Sequence, residues 1–303
     1  MLHRLIQKEK QTHNYVSDEF QYLNLIKYVL AEGKEVEGRN GKTLTVFGDA
    51  MIFDLRRYEW PLLTTKKVAW KTCAKELFWF IKGHTDNSIL QKQNVKIWND
   101  NASKEFLEAR GLDYKENDLG PVYGHQWRYF NAKYIDCKTD YSNKGVDQLA
   151  NVIKILKDPK ERHSRRILMS AWNPCQIEQM ALPPCHVLVQ FNVIKDELSC
   201  SLYQRSGDIG LGVPFNIASY TLLTFILCKH CDLKPGYFNY HLGNCHIYDD
   251  HIDALKKQLE NKELPFPKIN IISKHDNIEE YSLEDMEVSN YLYSNVIEMK
   301  MRK

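Results

Sequence analysis

With 303 residues, 43% of them apolar and 12% aromatic, the chain can fill a large core, which excludes a disordered or collagen-like protein. Lys and Arg number 41 against 39 Asp and Glu, a net charge of +2, so no global field selects a polyanion and any anion must be held by a local cluster. Residues 1–18 show no apolar signal core, and no run reaches the roughly 18 apolar residues of a membrane helix. The eight cysteines show no framework spacing, so reduced thiols in the cytoplasm, with the nucleus as a second address, are expected.

In chain order, residues 1–18 read as a mobile lead and 19–303 as one catalytic domain, because no repeat, linker or composition shift divides them. Ser17-Asp18-Glu19 is expected to cap a helix with Phe20, Leu23, Ile26 and Leu30 on one face, ended by Gly33. TLTVF (43–47) and MIFDL (51–55) around GDA read as a short strand pair. Helices follow at 68–83, nearly apolar in its second half, and at 146–157. RILMSAW, HVLVQFNVI and ELSCSLYQR read as strands, the last two joined by a hairpin at Lys195-Asp196. PFNIASYTLLTFILCKHC (214–231) starts with a helix-compatible proline and is apolar on every face. A strand near YFNYHL, a helix at DDHIDALKKQLE and a strand at KINIIS complete an α+β pattern of helices mixed with hairpin strands.

Five places could carry chemistry. In ALPPCHVLVQF, Pro183 and Pro184 stiffen the approach to Cys185, which is either a buried strand thiol or a nucleophile aimed at a cleft. His186 faces the other way on an extended chain and need not be its base. LYQRSGDIGLGVPFN holds Gln204, Arg205, Ser206 and Asp208 before a glycine-rich stretch, then Asn216; it is a phosphate and pyrimidine reader or simply a loop entering a helix. KERHSRR reads as a solvated charge run, but Arg165 and Arg166 directly precede an apolar strand, which should force at least one toward the body. His246 and Tyr248, two apart, could present two donors to one sugar hydroxyl. Glu76 is a carboxylate within the most apolar helix, where burial raises a pKa. Cys228-Lys-His-Cys231 has the spacing of half a metal site but no second half, and reads as buried thiols; no metal is expected.

ALPPCH, LYQRSGDIGLGVPFNIASY, DLGPVYGHQWR, SRRILMSAWNP and GNCHIY resemble the motifs of thymidylate synthase, the folate-dependent family, in order and spacing from about residue 19 to residue 301. QRSGDIGLGVPFN and the insert ASKEFLEARGLDYKEND make it most similar to the eukaryotic type. The resemblance implies a single domain with a large mixed sheet, packed back to back in a homodimer with shared sites. It implies methylation of dUMP to dTMP, with 5,10-methylenetetrahydrofolate as one-carbon donor and hydride source. By position, Cys185 adds to carbon-6 of uracil, Glu76 with Tyr123 and His186 handles protons, and Asn216 selects uracil. Arg39, Arg205 and Ser206 hold the phosphate with Arg165 and Arg166 from the other subunit; Gln204 and Asp208 line the nucleotide site, and His246 and Tyr248 take the sugar. Ile97, Trp98, Asp208, Leu211, Gly212 and Phe215 match the folate wall.

Three departures stand out. The loop at Arg39 is one residue short, the tail ends in Arg302-Lys303 where the family has a small or apolar residue, and Asn244 replaces the usual Asp. Two rivals follow. A dUMP hydroxymethylase of the same family lets water finish the reaction, which a leaky tail would permit; a cytidylate version would carry an acid at position 216. An inactive binding paralogue would have no reason to keep Cys185, Glu76, Asn216 and the arginines together. No membrane and no obligatory nucleic-acid partner are expected, with RNA binding left open.

Overall fold

A computed structural model describes residues 17–38 and 40–302. Helix α1 (Phe20–Glu32) leads into β1 (Lys34–Gly38) and β2 (Gly41–Asp54). Four helices follow, α2 (Trp70–Ile81), α3 (Asn87–Gln91), α4 (Lys104–Ala109) and α5 (Tyr123–Tyr129), and then α6 (Gln148–Lys157). The second half supplies β3 (Leu168–Ser170), β4 (His186–Ile194), β5 (Glu197–Asp208), α7 (Gly212–His230), β6 (Lys234–Tyr248) and α8 (Ile252–Gln258). A small pair, β7 (Lys268–Ile271) and β8 (Met286–Ser289), closes the order.

The main sheet has six strands in the order β1-β2-β6-β5-β4-β3, with β5 and β6 parallel and the other pairs antiparallel. This is the mixed sheet and α+β class expected. Alternation explains the strands: Val189, Phe191 and Val193 of β4 point inward, as do Leu198, Cys200 and Leu202 of β5. Helix α7 lies over that inner face and is buried all round. It is long and apolar enough to cross a membrane by composition, yet 78% of its apolar window is inside the fold. Its threonines are made compatible with burial by donating to backbone carbonyls one turn back, Thr221 to Ile217 at 2.6 Å and Thr224 to Tyr220 at 2.8 Å. Cys228 and Cys231 are buried at its end, as their apolar setting predicted. The opposite sheet face carries exposed Leu168, Leu188, Ile194 and Tyr203, with Leu188 directly across from Tyr203.

Three expectations are corrected. Residues 43–55 are not a strand pair: Gly48 takes φ 91 within one strand, and its neighbours keep register on β6, with Phe47 opposite Asn244 and Asp49 opposite Leu242. The strand read over RILMSAW shrinks to three residues. Ser17 does receive the Glu19 N–H at 3.3 Å, but the side chains of Asp18 and Glu19 do not cap the helix; only their carbonyls serve its start, accepting from the Gln21 and Leu23 N–H groups. Asp18 instead accepts from the Asp54 N–H at 3.0 Å. Buried Glu19 accepts four hydrogen bonds, from the N–H and hydroxyl of both Thr64 and Thr65 at 2.6–2.9 Å. Ser17 and Asp18, read with the lead, are therefore packed into the fold, while residues 1–16 lie outside the described residues.

Candidate active site

Cys185 sits at the mouth of β4, half-buried, and its approach is braced from three sides. Neither proline before it can donate, but both carbonyls accept from Arg205: Nη2 to Pro183 at 3.0 Å and Nε to Pro184 at 2.7 Å. The Cys185 N–H donates to the Tyr123 hydroxyl at 2.8 Å, and its carbonyl accepts from the Arg205 N–H at 2.9 Å. Arg205 Nη2 comes within 3.9 Å of the sulfur, so a cation stands beside the thiol, the setting of a reactive rather than a structural cysteine. The Arg205 guanidinium also lies 5.5 Å over Trp172. Two of its three guanidinium nitrogens are thus engaged in bracing, and Nη1 has no partner among the described residues.

Tyr123 opens α5 after the Leu119-Gly120-Pro121 turn. Gly120 has φ 73, and a Cβ there would meet the Gln179 carbonyl oxygen at 2.2 Å, so only glycine lets this turn deliver the tyrosine. Burial, with Cys185 beside it, pushes the Tyr123 phenol well above its ordinary range. The neutral hydroxyl accepts from Cys185 and keeps its own proton to donate. His186 stacks on Tyr123 with ring centroids 3.9 Å apart and bonds the Tyr220 hydroxyl through Nδ1 at 2.7 Å. Burial pushes its pKa down to about 3, so it is a neutral prop for Tyr123 and not the base of Cys185.

Glu76 lies on α2, half-buried, with Oε1 accepting from the Trp98 indole N–H at 2.7 Å. Burial raises its pKa from an ordinary 4.5 to about 7, against the opposing indole bond. Trp98 is edge-on to Tyr123, ring centroids 6.3 Å apart, which links Glu76 through Trp98 and Tyr123 to Cys185. Asn216 is the fifth residue of α7, and the helix is capped by Leu211 without a side-chain bond, so Asn216 is no cap. Its amide has no hydrogen bond to the described residues and remains available to a ligand. Cys73 Sγ donates to the Phe215 carbonyl at 3.3 Å, fastening α2 with Glu76 to α7 with Asn216.

Strand register assembles the remainder. Gln204 is paired with His186; it donates to the Ser206 carbonyl at 2.8 Å and accepts from Tyr240 at 2.7 Å. Asp208 of β5 is opposite His246 of β6, and Ser206 opposite Asn244. His246 and Tyr248 share one face as expected. However, His246 Nδ1 is 2.8 Å from Asn244 Oδ1, which can only accept, and burial lowers the ring's pKa. The neutral ring therefore shows an unprotonated Nε2, and the pair offers one acceptor and one donor, not two donors. Trp98 is buried, and Ile97, Leu211, Gly212 and Phe215 are half-buried.

Arg165 and Arg166 are both exposed, contrary to the expectation that one turns inward; the strand that follows sends Ile167 and Met169 into the core instead. Neither has an ion-pair partner among the described residues. Arg39 lies outside the described residues. Sequence reasoning missed Lys66 and His251. Buried Lys66 donates to the Gly210 carbonyl, and burial lowers its pKa to about 8. His251 is buried, with Nδ1 3.7 Å from Asp208 and Nε2 2.7 Å from the Lys300 carbonyl. Burial opposes its charge, but these two partners prevail and raise its pKa. Asp208 is likewise penalised by burial, yet His251 holds it below the usual carboxylate range. His251 stands at the end of GNCHIYDDH, where the adjacent acids were the available signal.

A family model described as thymidylate synthase matches residues 20–303. The chain is 50% identical to thymidylate synthase of Homo sapiens over 285 residues, 93% of this chain and 90% of that protein. It is 49% identical to thymidylate synthase of Ascaris suum over 290 residues, 95% and 98% of the two chains. Over 302 residues, 98% of this chain, it is 48% identical to a bifunctional dihydrofolate reductase-thymidylate synthase of Paramecium tetraurelia, of which it spans 64%. It spans 50% of the corresponding bifunctional protein 2 of Arabidopsis thaliana.

Proposed function

Because the chain belongs to the thymidylate synthase family, we propose that it methylates dUMP to dTMP. The observation that carries this reading is Cys185, braced by Tyr123 and Arg205 and linked through Tyr123 and Trp98 to the half-buried acid Glu76, with an Asn216 amide that no described residue engages on the helix to which α2 is fastened. The apolar and aromatic wall of Ile97, Trp98, Leu211 and Phe215, with Gly212 leaving room, suits a flat folate ring. Bound there, 5,10-methylenetetrahydrofolate supplies the one-carbon group and a hydride and leaves as dihydrofolate.

The protein's part begins with Cys185 Sγ adding to carbon-6 of uracil, which drives negative charge onto the ring's far carbonyl. The Asn216 amide pairs with the ring N–H and that carbonyl, so charge builds against a fixed donor; cytosine offers the reverse pattern. Glu76, with its pKa near neutrality, can hold or release a proton at working pH. Tyr123 keeps the Cys185 backbone in place while donating its own proton into the cleft. His246 and Tyr248 offer an acceptor and a donor to the sugar hydroxyl. Arg205, Ser206 and Arg39 are assigned to the phosphate, with Gln204 and Asp208 bounding the nucleotide.

A homodimer completes this reading. Exposed Leu168, Leu188, Ile194 and Tyr203 form an apolar sheet face that a second copy would cover, and Arg165 and Arg166, without an ion-pair partner among the described residues, stand at its edge. Each would reach a phosphate in the partner's site, where a bidentate guanidinium is favoured. None of the eight cysteines is in a disulfide, which fits a reducing compartment, cytoplasmic or nuclear.

Purified protein given dUMP and methylenetetrahydrofolate should form dTMP and dihydrofolate in equal amounts, read by absorbance and nucleotide mass. A hydroxymethyl product without dihydrofolate would select the hydroxymethylase instead, and neither turnover nor dUMP binding would select the inactive paralogue. Shared sites have their own test. Unfolding and refolding equal amounts of Cys185→Ser and Arg166→Ala chains should restore about a quarter of wild-type activity, because half the dimers carry one intact site. No recovery from two folded, inactive parents would rule out sharing.

A further inference from the structure

The C-terminal segment is fastened to the cleft wall by contacts its sequence did not announce. Arg302 Nη2 lies 2.8 Å from Asp249 Oδ1 and 3.0 Å from Asp250 Oδ1, and Nε is 3.2 Å from Asp250 Oδ1. Its guanidinium also lies 5.8 Å over the ring of Tyr248, the residue assigned to the sugar. Two residues back, the Lys300 carbonyl accepts from buried His251, which faces Asp208. Next to it, the Met299 sulfur lies against Gly210, where a Cβ would come within 2.9 Å of it. The tail thus touches the sugar tyrosine, the turn after β6 and the glycine stretch that leads to Leu211 and Gly212.

A single exposed ion pair would be a weak anchor. Here one planar guanidinium meets two adjacent carboxylates and an aromatic face, a geometry that an ammonium cannot reproduce. Asp249 and Asp250 are neighbours in sequence and repel each other, so Arg302 neutralises a charge pair that the fold has already placed. We propose that Arg302 is a positioning residue which, through Asp249 and Asp250, holds residues 299–302 on the cleft so that the folate side stays closed to water. This rests on the methylation reading. The basic residue at 302 thus supplies its own attachment.

The consequence is chemical. With the wall closed, hydride reaches the exocyclic methylene on carbon-5, giving a methyl group and dihydrofolate. If water enters, its oxygen bonds to that methylene and its proton is released, giving the hydroxymethyl nucleotide while tetrahydrofolate leaves unoxidised.

The test compares the wild-type chain with Arg302→Ala, Arg302→Lys, the double variant Asp249→Asn/Asp250→Asn, and the combination of the double variant with Arg302→Ala. Arg302→Ala should raise the folate KM about tenfold, the size of a coupled contact, and leave dUMP affinity within about twofold. Hydroxymethyl product should become measurable, and Arg302→Lys should recover only part of the loss. The Asn double variant should behave like Arg302→Ala, and the combination should be no worse than either. Limited trypsin digestion reads the anchoring without catalysis: cleavage after Lys300 in the ligand-free protein should be several-fold faster in Arg302→Ala. Unchanged cleavage and folate KM, or additive losses in the combination, would overturn the proposal. A wild-type chain that protects Lys300 but does not turn over dUMP would instead refute the methylation reading and leave the attachment standing.

Discussion

Replacing Cys185 with serine should lower kcat by roughly 10⁴-fold or more, the scale on which removal of a catalytic nucleophile is felt. Binding of dUMP should remain within a few-fold of wild type. The separation follows from where the contacts fall. The bonds that shape the approach to residue 185 use its backbone N–H and carbonyl and the carbonyls of Pro183 and Pro184, none of which the substitution touches. Serine keeps the size and position of the side chain but exchanges a sulfur nucleophile for a much weaker oxygen one. His186 cannot compensate as a base, because burial lowers its pKa to about 3, which makes it a weak proton acceptor, and its Nδ1 is engaged by Tyr220. Equilibrium dialysis with labelled dUMP, beside single-turnover kinetics, measures both halves. Full activity in the serine variant would remove the nucleophile assignment, and loss of dUMP binding with loss of fold would be visible by circular dichroism.

The same local geometry shows what a sequence can and cannot convey. Strand β4 and the Lys195-Asp196 hairpin were legible because alternation and a turn dipeptide are short-range signals, and the structure returns residues 186–194 with Lys195 at φ 59. The two prolines before Cys185 were readable as stiffening, but not the reason the stiffening holds. That depends on Arg205, twenty residues on, whose guanidinium reaches their carbonyls only after β4 and β5 pair. Ser17-Asp18-Glu19 failed for a related reason. A helix-start signature describes local bonds, whereas the Glu19 side chain is used 45 and 46 residues away, on Thr64 and Thr65. Gly48 misled in the other direction, since glycine in GDA marks a left-handed residue without saying whether the chain reverses there. Arg302 and its two aspartates lie more than fifty residues apart, and no periodicity joins them.

Glu76→Gln should separate activity from stability, with opposite signs. The glutamate's pKa is raised to about 7 because burial disfavours its charge, and the Trp98 indole offsets that only in part. Glutamine can still accept the indole proton through its carbonyl oxygen, so packing survives the change. It cannot take up or release a proton, and kcat should fall by about 10² to 10⁴-fold, the range for losing one acid–base group. Any inflection near pH 7 in the wild-type kcat profile should vanish in the variant. Stability moves the other way. Between pH 4.5 and about 7 the folded chain holds a proton that the unfolded chain has released, so the wild type loses stability as pH rises through this window. Keeping the folded value at about 7 costs on the order of 3 kcal/mol once both states are ionised. The glutamine variant escapes that cost. Relative to wild type, its melting temperature should gain about 5 °C between pH 4 and pH 8, with most of the gain inside the window. A difference that does not change with pH would show that Glu76 is not held protonated by its surroundings. An unchanged kcat would remove it from proton transfer and leave Tyr123 as the candidate donor beside Cys185.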